Sequence, residues 1–222
     1  MLDEKVIAID TTTRSISFYA YLCIKRFFDA LISLIGCIFL LPIILVVKIC
    51  NICTGDFNSI FYKQKRIGKD GKFIYILKFR SMVPNADEIL KELLKDKKYR
   101  EEWELNQKFE HDPRITKMGK ILRKTSLDEA PQFINVLKGD MSLIGPRPLI
   151  EVELDAHNGN HEIYEAMRPG ITGWWACNGR SSITYKKRLQ LEYYYIQNAS
   201  ILLDIKCIFK TVAAVFKRNG AK

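Results

Sequence analysis

The sequence has no internal repeat, no low-complexity linker and no regular cysteine framework, and each absence narrows the reading. Without a repeat it is not a solenoid or propeller. Without a linker it reads as one globule with any appendage directly attached. Six cysteines at 23, 37, 50, 53, 177 and 207 lack both a framework spacing and an obvious secretory leader, so they read as reduced and intracellular. Cys50 and Cys53 have CxxC spacing, but no second CxxC or nearby CxxH completes a zinc half-site, and buried or juxtamembrane thiols are the stronger reading. Histidine is scarce too; His157 and His161 bracket Asn158, Gly159 and Asn160, which reads as a loop more readily than as a metal pair.

What is present is a chain of 222 residues with 48% apolar and 27% charged side chains, enough to bury a real core and too apolar for a disordered tail. The net charge is +10, and residues 1–60 hold five bases and five acids, so the whole surplus falls on residues 61–222. Such a surplus points to phosphate, nucleic acid or an anionic membrane surface.

Residues 30–47 form an uncharged apolar run (ALISLIGCIFLLPIILVV) flanked by Lys25, Arg26 and Asp29 before it and Lys48 after it. As a straight helix it reaches about 27 Å, barely the hydrocarbon thickness. Pro42 inside it removes an amide donor and crowds the carbonyl of Ile38, so a break is expected there. Bases lie on both flanks: Lys25 and Arg26 on one side, Lys48, Lys63, Lys65, Arg66 and Lys69 on the other. If they favour the cytoplasm, both ends want the same side, and a re-entrant helix-break-helix in one leaflet satisfies that. A single span and a buried soluble helix pair are the competing readings. Leu34-Ile35-Gly36-Cys37 has the look of a lipoprotein cleavage box, but hydrophobicity continues past the cysteine, so cleavage is not expected.

Residues 57–80 read as a hairpin turning at Gly68-Lys69-Asp70-Gly71, with Phe73, Tyr75, Leu77 and Phe79 on one face. Residues 84–109 read as a charged helix. Ser126-Leu127-Asp128-Glu129 has the S-x-x-E form of a capping box, before a helix that Gly139 stops. A short helix is expected over 149–156, then a turn-rich loop carrying Trp174 and Trp175. Residues 200–218 form an amphipathic helix that suits a membrane interface or a core contact equally.

Adjacent acids at a helix start have an ordinary explanation in capping and the helix dipole. For Asp128 and Glu129 the surroundings add to it: Lys117, Lys120, Arg123 and Lys124 precede them, Lys138 follows, and Arg147 stands in a Gly-Pro-Arg-Pro loop. Cations lower a carboxylate pKa, which would keep a nucleophile ionised. A phosphoryl substrate explains the set. Arginine forks match phosphate oxygens, and a magnesium ion on one carboxylate would let the other approach an anion.

Several motifs in order resemble the bacterial sugar transferase family, the monotopic phosphoglycosyl transferases that start surface-glycan assembly. They are Lys25-Arg26 with Asp29, Lys78-Phe79-Arg80-Ser81-Met82, Asp112-Pro113-Arg114-Ile115-Thr116, LRKTSLDEAPQ at 122–132, LIGPRP at 143–148, RPGITGWW from Arg168 and NGRSSITY from Asn178. The resemblance runs from about residue 14 to the end. It implies transfer of a sugar 1-phosphate from a UDP-sugar to undecaprenyl phosphate with release of UMP, a re-entrant membrane helix, magnesium and a covalent aspartyl phosphosugar. Carried over by position, Asp128 is the nucleophile and Glu129 the magnesium ligand. Arg123 and Arg147 contact phosphate, with Lys78 as a further anion contact, and Pro42 marks the membrane break. Leu41-Pro42 stands where the family often has Ser-Pro, and Ala176-Cys177 where Gln-Val is common.

The expected architecture is α+β and predominantly helical. It comprises an N-terminal segment over 1–24, a re-entrant membrane helix over 25–53 and a catalytic domain over 54–222, with a small β-hairpin and amphipathic interfacial helices, on the cytoplasmic face of the inner membrane. A homodimer, the sugar and the downstream glycan are left open. Two rivals remain: a membrane-tethered nucleic-acid-binding protein, motivated by the charge, the tryptophans and Tyr193 to Tyr195, and a direct ternary transfer with Asp128 as a base.

Overall fold

A computed structural model describes residues 16–106, 108–153, 164–179 and 183–216. His157, His161, Arg180, Lys217 and Arg218 lie outside the described residues. The chain is mostly helical. After helix α1 (Ile16–Cys53) come β1 (Phe61–Ile67) and β2 (Phe73–Phe79), then α2 (Ala86–Leu93), α3 (Lys97–Asn106), α4 (Lys117–Thr125), α5 (Gln132–Lys138) and β3 (Ser142–Ile144). The last part carries β4 (Gly170–Thr172), α6 (Trp174–Cys177), α7 (Tyr185–Gln197) and α8 (Ile201–Phe216).

Helix α1 runs without interruption through Pro42, so the expected break is not a gap in the helix, and the helix begins earlier than residue 25. One proline costs one backbone hydrogen bond, which a long helix packed on both sides of it tolerates. A single stripe, Tyr21, Asp29, Ser33, Leu40 and Val47, is buried against the globule. The other faces, among them Phe27, Phe28, Leu31, Leu34, Ile38, Phe39, Leu41, Leu45 and Val46, are exposed.

Polar anchors fix the first half of that stripe. Lys25 Nζ and Tyr21 Oη both reach Asp204 of α8, at 2.8 and 3.0 Å, and Tyr195 Oη donates to the same carboxylate. Arg26 donates to the carbonyls of Val136 and Leu137, capping the C-terminus of α5. Asp29 accepts from Ser142 Oγ and Leu143 N. Lys25 and Arg26 are therefore internal anchors as well as flanking charges. Further along, Gly36 lies so close to Phe133 of α5 that an added Cβ would stand 2.9 Å from the ring. Leu40, Ile43, Ile44 and Val47 then share a core with Ile60, Phe79, Leu122 and Ile134.

The hairpin forms in the expected place, with Phe61 opposite Phe79 and Ile67 opposite Phe73. Ile67, Ile74, Ile76 and Phe79 are buried, Ile74 and Ile76 packed with Val136 and Met141, while Phe73 and Tyr75 face outward. The expected helix over 84–109 is two helices, parted by a turn at residues 94–96. Of the one expected over 149–156, Leu149 instead bridges to Ile67, residues 151–153 are a 3-10 turn, and residues 154–156 lie outside the described residues. A second, parallel pair joins β3 to β4. There the Gly-Pro-Arg-Pro and Arg-Pro-Gly motifs meet backbone to backbone: a Cβ on Gly170 would stand 2.1 Å from Gly145 N, so only glycine fits.

Helix α8 packs through Leu203, Asp204 and Cys207 and exposes Ile201, Leu202, Ile205, Ile208, Phe209 and Val212. The outward faces of α1 and α8 are thus both apolar, more than an isolated surface residue explains.

Candidate active site

The connection between α4 and α5 carries the two acids. Thr116 caps α4 by accepting from Gly119 N at 2.9 Å. Gly119 is pressed on the end of β2, where an added Cβ would stand 1.9 Å from Ser81 O. Helix α4 ends on Ser126 in the left-handed region, φ 57°, a conformation costing a non-glycine residue about 1 to 3 kcal/mol. A one-turn 3-10 helix, Leu127–Glu129, follows, and α5 starts only after Pro131.

The capping box is therefore absent. Ser126 makes no side-chain cap, because a left-handed residue turns the chain away from the geometry a cap needs, and Glu129 points elsewhere. Leu127 and Ala130 enter the core beside Leu40 and Val47 of α1. Between these two apolar anchors sit Asp128 and Glu129, both partly buried.

Glu129 Oε1 accepts from Lys78 Nζ at 2.8 Å. Lys78 is delivered by β2, whose edge is held by Asn135 of α5: its Oδ1 accepts from Leu77 N at 2.9 Å and its Nδ2 donates to Tyr75 O at 2.8 Å. Arg123 is anchored through Nε to Ser81 Oγ at 2.9 Å, and its charge bears on Asp128 and on Asp112. Asp112 itself is bound by Arg114 at 2.9 and 2.7 Å and is largely buried, so the Asp112-Pro113-Arg114 motif is an internal brace.

Asp128 departs from the expectation. Its pKa is raised above the ordinary carboxylate value, first by burial and then by the negative charge of Glu129. Lys78 and Arg123 pull the other way without prevailing. The cationic surroundings moderate the shift and do not set its sign.

Asp128, Glu129, Lys78 and Arg123 thus come together. Arg147 belongs to a second cluster. It meets Glu153 at 2.8 Å, and Arg188 and Arg66 reach the same carboxylate at 3.3 and 3.8 Å. Burial opposes ionisation of Glu153, but Arg147, the amide of Ile150 and Arg188 outweigh it and lower its pKa. Glu192 lies beneath, 1% exposed. Its Oε1 accepts from Arg147 N at 3.3 Å, and burial pushes its pKa up to about 7. Residue-by-residue reading missed Arg66, Glu153, Arg188 and Glu192. The one local signal is Glu192, an acid directly before the aromatic run Tyr193 to Tyr195 in α7.

Among the described residues no three His, Cys, Asp or Glu side chains gather as a metal cluster. The acids here still suit magnesium, which takes one or two protein carboxylates and completes its shell with water and substrate phosphate. Glu129 has one oxygen bound to Lys78, which leaves its Oε2 as a donor.

Comparison with known proteins identifies the family. Residues 20–218 match the family described as bacterial sugar transferase. The exopolysaccharide production protein ExoY of Sinorhizobium fredii is 42% identical over 89% of this chain and 87% of its own length. The undecaprenyl-phosphate galactose phosphotransferase of Salmonella typhimurium is 43% identical over 89% of this chain and 41% of its own. The UDP-galactose-lipid carrier transferase of Erwinia amylovora is 44% identical, again over 41% of its own length. The chain thus spans most of the first relative and well under half of the other two.

Proposed function

The chain belongs to the bacterial sugar transferase family, and from that premise we propose that it moves a sugar 1-phosphate from a UDP-sugar to undecaprenyl phosphate, releasing UMP. Relatives named for galactose phosphotransfer and exopolysaccharide production support a sugar-phosphate transferase of polysaccharide synthesis. The observation that carries the reading is the half-buried Asp128, flanked by Glu129 and under the charges of Lys78 and Arg123.

The chemistry is a double displacement. An Asp128 carboxylate oxygen attacks the sugar-bearing phosphorus, the phosphoanhydride bond breaks, and UMP leaves with the bonding electrons. An oxygen of the lipid phosphate then attacks the same phosphorus, and the bond to Asp128 breaks, returning the carboxylate. Lys78 holds Glu129 and offsets the pKa rise of Asp128, and Arg123 presents its fork from the braced end of α4. Glu129 would hold magnesium, which when bound shields the charge of the diphosphate. Arg147, held by Glu153 in the second cluster, is assigned to the donor's phosphates.

The membrane part of the proposal is an inner-leaflet, monotopic association on the cytoplasmic face. Both halves of α1 are fastened to the same globule, by Lys25 and Arg26 at one end and Val47 at the other. A straight span would carry that globule's charged surface into hydrocarbon, whereas a shallow entry leaves it in water. Asp128 then sits where a soluble nucleotide sugar and a lipid phosphate both arrive.

Purified membranes with undecaprenyl phosphate, magnesium and a panel of UDP-sugars should yield UMP with one or a few donors. The Asp128→Asn protein should lose turnover by roughly three orders of magnitude or more and form no labelled protein from a radiolabelled donor. Full activity in that variant would falsify the assignment. A wild-type enzyme that turns over yet never carries label without lipid acceptor would favour direct transfer with Asp128 as a base.

A further inference from the structure

We propose that Arg66, Arg147 and Arg188 form a seat for a phosphoryl group, and that the Glu153 carboxylate fills this seat until a ligand's phosphate displaces it. The inference rests on the assignment of Arg147 to a phosphate and adds two further ligand contacts and an internal competitor. Three separate elements build the seat. Ile67 N donates to Leu149 O at 2.9 Å, which sets Arg66 of β1 beside the Gly-Pro-Arg-Pro loop. Arg188 comes from α7, its guanidinium carbon 4.3 Å from the Tyr185 ring centre.

The three forks are too widely spaced for the carboxylate between them. Arg147 Nη1 lies 2.8 Å from Glu153 Oε1, the distance of a charge-assisted hydrogen bond, but Arg188 Nη2 stands 3.3 Å from the same oxygen and Arg66 Nη1 3.8 Å from Oε2. Oε2 also accepts from Ile150 N at 3.1 Å. Arg188 Nε is buried with no hydrogen-bond partner among the described residues. A carboxylate offers two oxygens in one plane, whereas a phosphoryl group offers three at tetrahedral corners and can meet three forks at once.

Charge points the same way. Among the described residues, the ion pairs here set three cations against two acids, Glu153 and Glu192. Glu192, with its pKa near 7, supplies only part of a charge at neutral pH. The side chains of Arg66 and Arg188 are 12% and 14% exposed, so water and salt screen the surplus poorly. A structural brace balances its charges, as Asp112 and Arg114 do one for one; this cluster keeps a cationic excess. Glu153 stands on a single 3-10 turn, residues 151–153, while its partners stand on a strand, a loop between two prolines and a 13-residue helix. The carboxylate is therefore the part that yields, and its return on release keeps the affinity for product low.

The test is isothermal titration of full-length protein in detergent micelles, with UMP, inorganic phosphate and undecaprenyl phosphate in separate arms. Melting curves establish that each variant is folded. Glu153→Gln should bind phosphate roughly tenfold more tightly than wild type, Glu153→Ala should shift affinity the same way, and Arg66→Gln and Arg188→Gln should each weaken it roughly tenfold or more. The pattern seen with UMP supports a donor phosphate in the seat; seen with undecaprenyl phosphate but not UMP, it keeps the seat and moves Arg147 from donor to acceptor. The same pattern in a protein that releases UMP from no UDP-sugar would sink the sugar-transfer reading and leave the seat standing. The proposal is overturned if none of the three anions binds, if the folded Glu153 variants bind no more tightly than wild type, since the carboxylate would then hold the forks rather than compete for them, or if neither arginine variant weakens binding.

Discussion

Lys78 Nζ lies 2.8 Å from Glu129 Oε1, so one ammonium on a strand edge holds the second acid of the pair while its charge also bears on the first. The two carboxylates are adjacent in sequence but differ in partner, and that difference separates their roles.

Lys78→Met should therefore act through Asp128 as well as Glu129. Removing the cation raises the Asp128 pKa further, and because the nucleophile must be ionised, the acid limb of the pH–rate profile should move to higher pH. Arg123→Gln should move it the same way. A profile of labelled-enzyme formation between pH 5 and 8 reads the shift; unchanged limbs in both variants would remove the cations from this role.

Glu192 offers a stability test with a definite sign. Its pKa stands near 7 in the fold against the usual 4.5, so the native state binds the extra proton and stability falls as pH rises from 4.5 towards 7. Full ionisation costs on the order of 3 kcal/mol. Glu192→Gln, which keeps an acceptor for Arg147 N, should abolish that slope. Urea melts of both proteins at pH 5 and pH 8 should diverge at the higher pH, and parallel curves would refute the assignment.

Gly119→Ala should be severely destabilising, by about 3 kcal/mol or more, since the new Cβ would meet the Ser81 carbonyl at 1.9 Å and the cap on Thr116 fixes the helix start. Expression and melting temperature measure it. Ile121→Ala, an exposed site two residues along the same helix, is the control and should change little.

Topology is readable with native thiols. Cys23 and Cys53 bracket the apolar run and both are exposed. An impermeant maleimide should label neither in intact cells and Cys53 in inverted vesicles. Labelling of either from outside would rule out entry and exit through one leaflet.

Much of this was legible in the sequence because local chemistry decided it. The hairpin followed from Gly68 to Gly71, where Asp70 and Gly71 take positive φ, and Gly139 ends α5 at φ 93°. The positions of Asp128 and Glu129 followed from family motifs. What failed was anything set by distant contact. Ser126 and Glu129 have capping-box spacing, yet Lys78 claims the glutamate and a left-handed Ser126 cannot cap. Cationic neighbours suggested a lowered Asp128 pKa, but burial cannot be counted from a composition and it prevails. The gathering of Arg66, Arg147 and Arg188 on Glu153 joins segments far apart in the chain, which no spacing announces. The aromatics behind the nucleic-acid reading are occupied: Tyr193 and Tyr195 are in the core, and Trp174 stacks on Tyr194 with ring centres 5.9 Å apart.

The fit of Gly36 against Phe133, with Leu40 and Val47 beside Leu122, makes α1 a wall of the folded body. Trimming the first fifty residues to obtain a water-soluble fragment would strip Phe79 and Leu122 of their cover and leave the turn bearing Asp128 unsupported. Purification and engineering of this protein must accordingly keep helix α1, and a replacement helix would have to reproduce its inner stripe residue for residue.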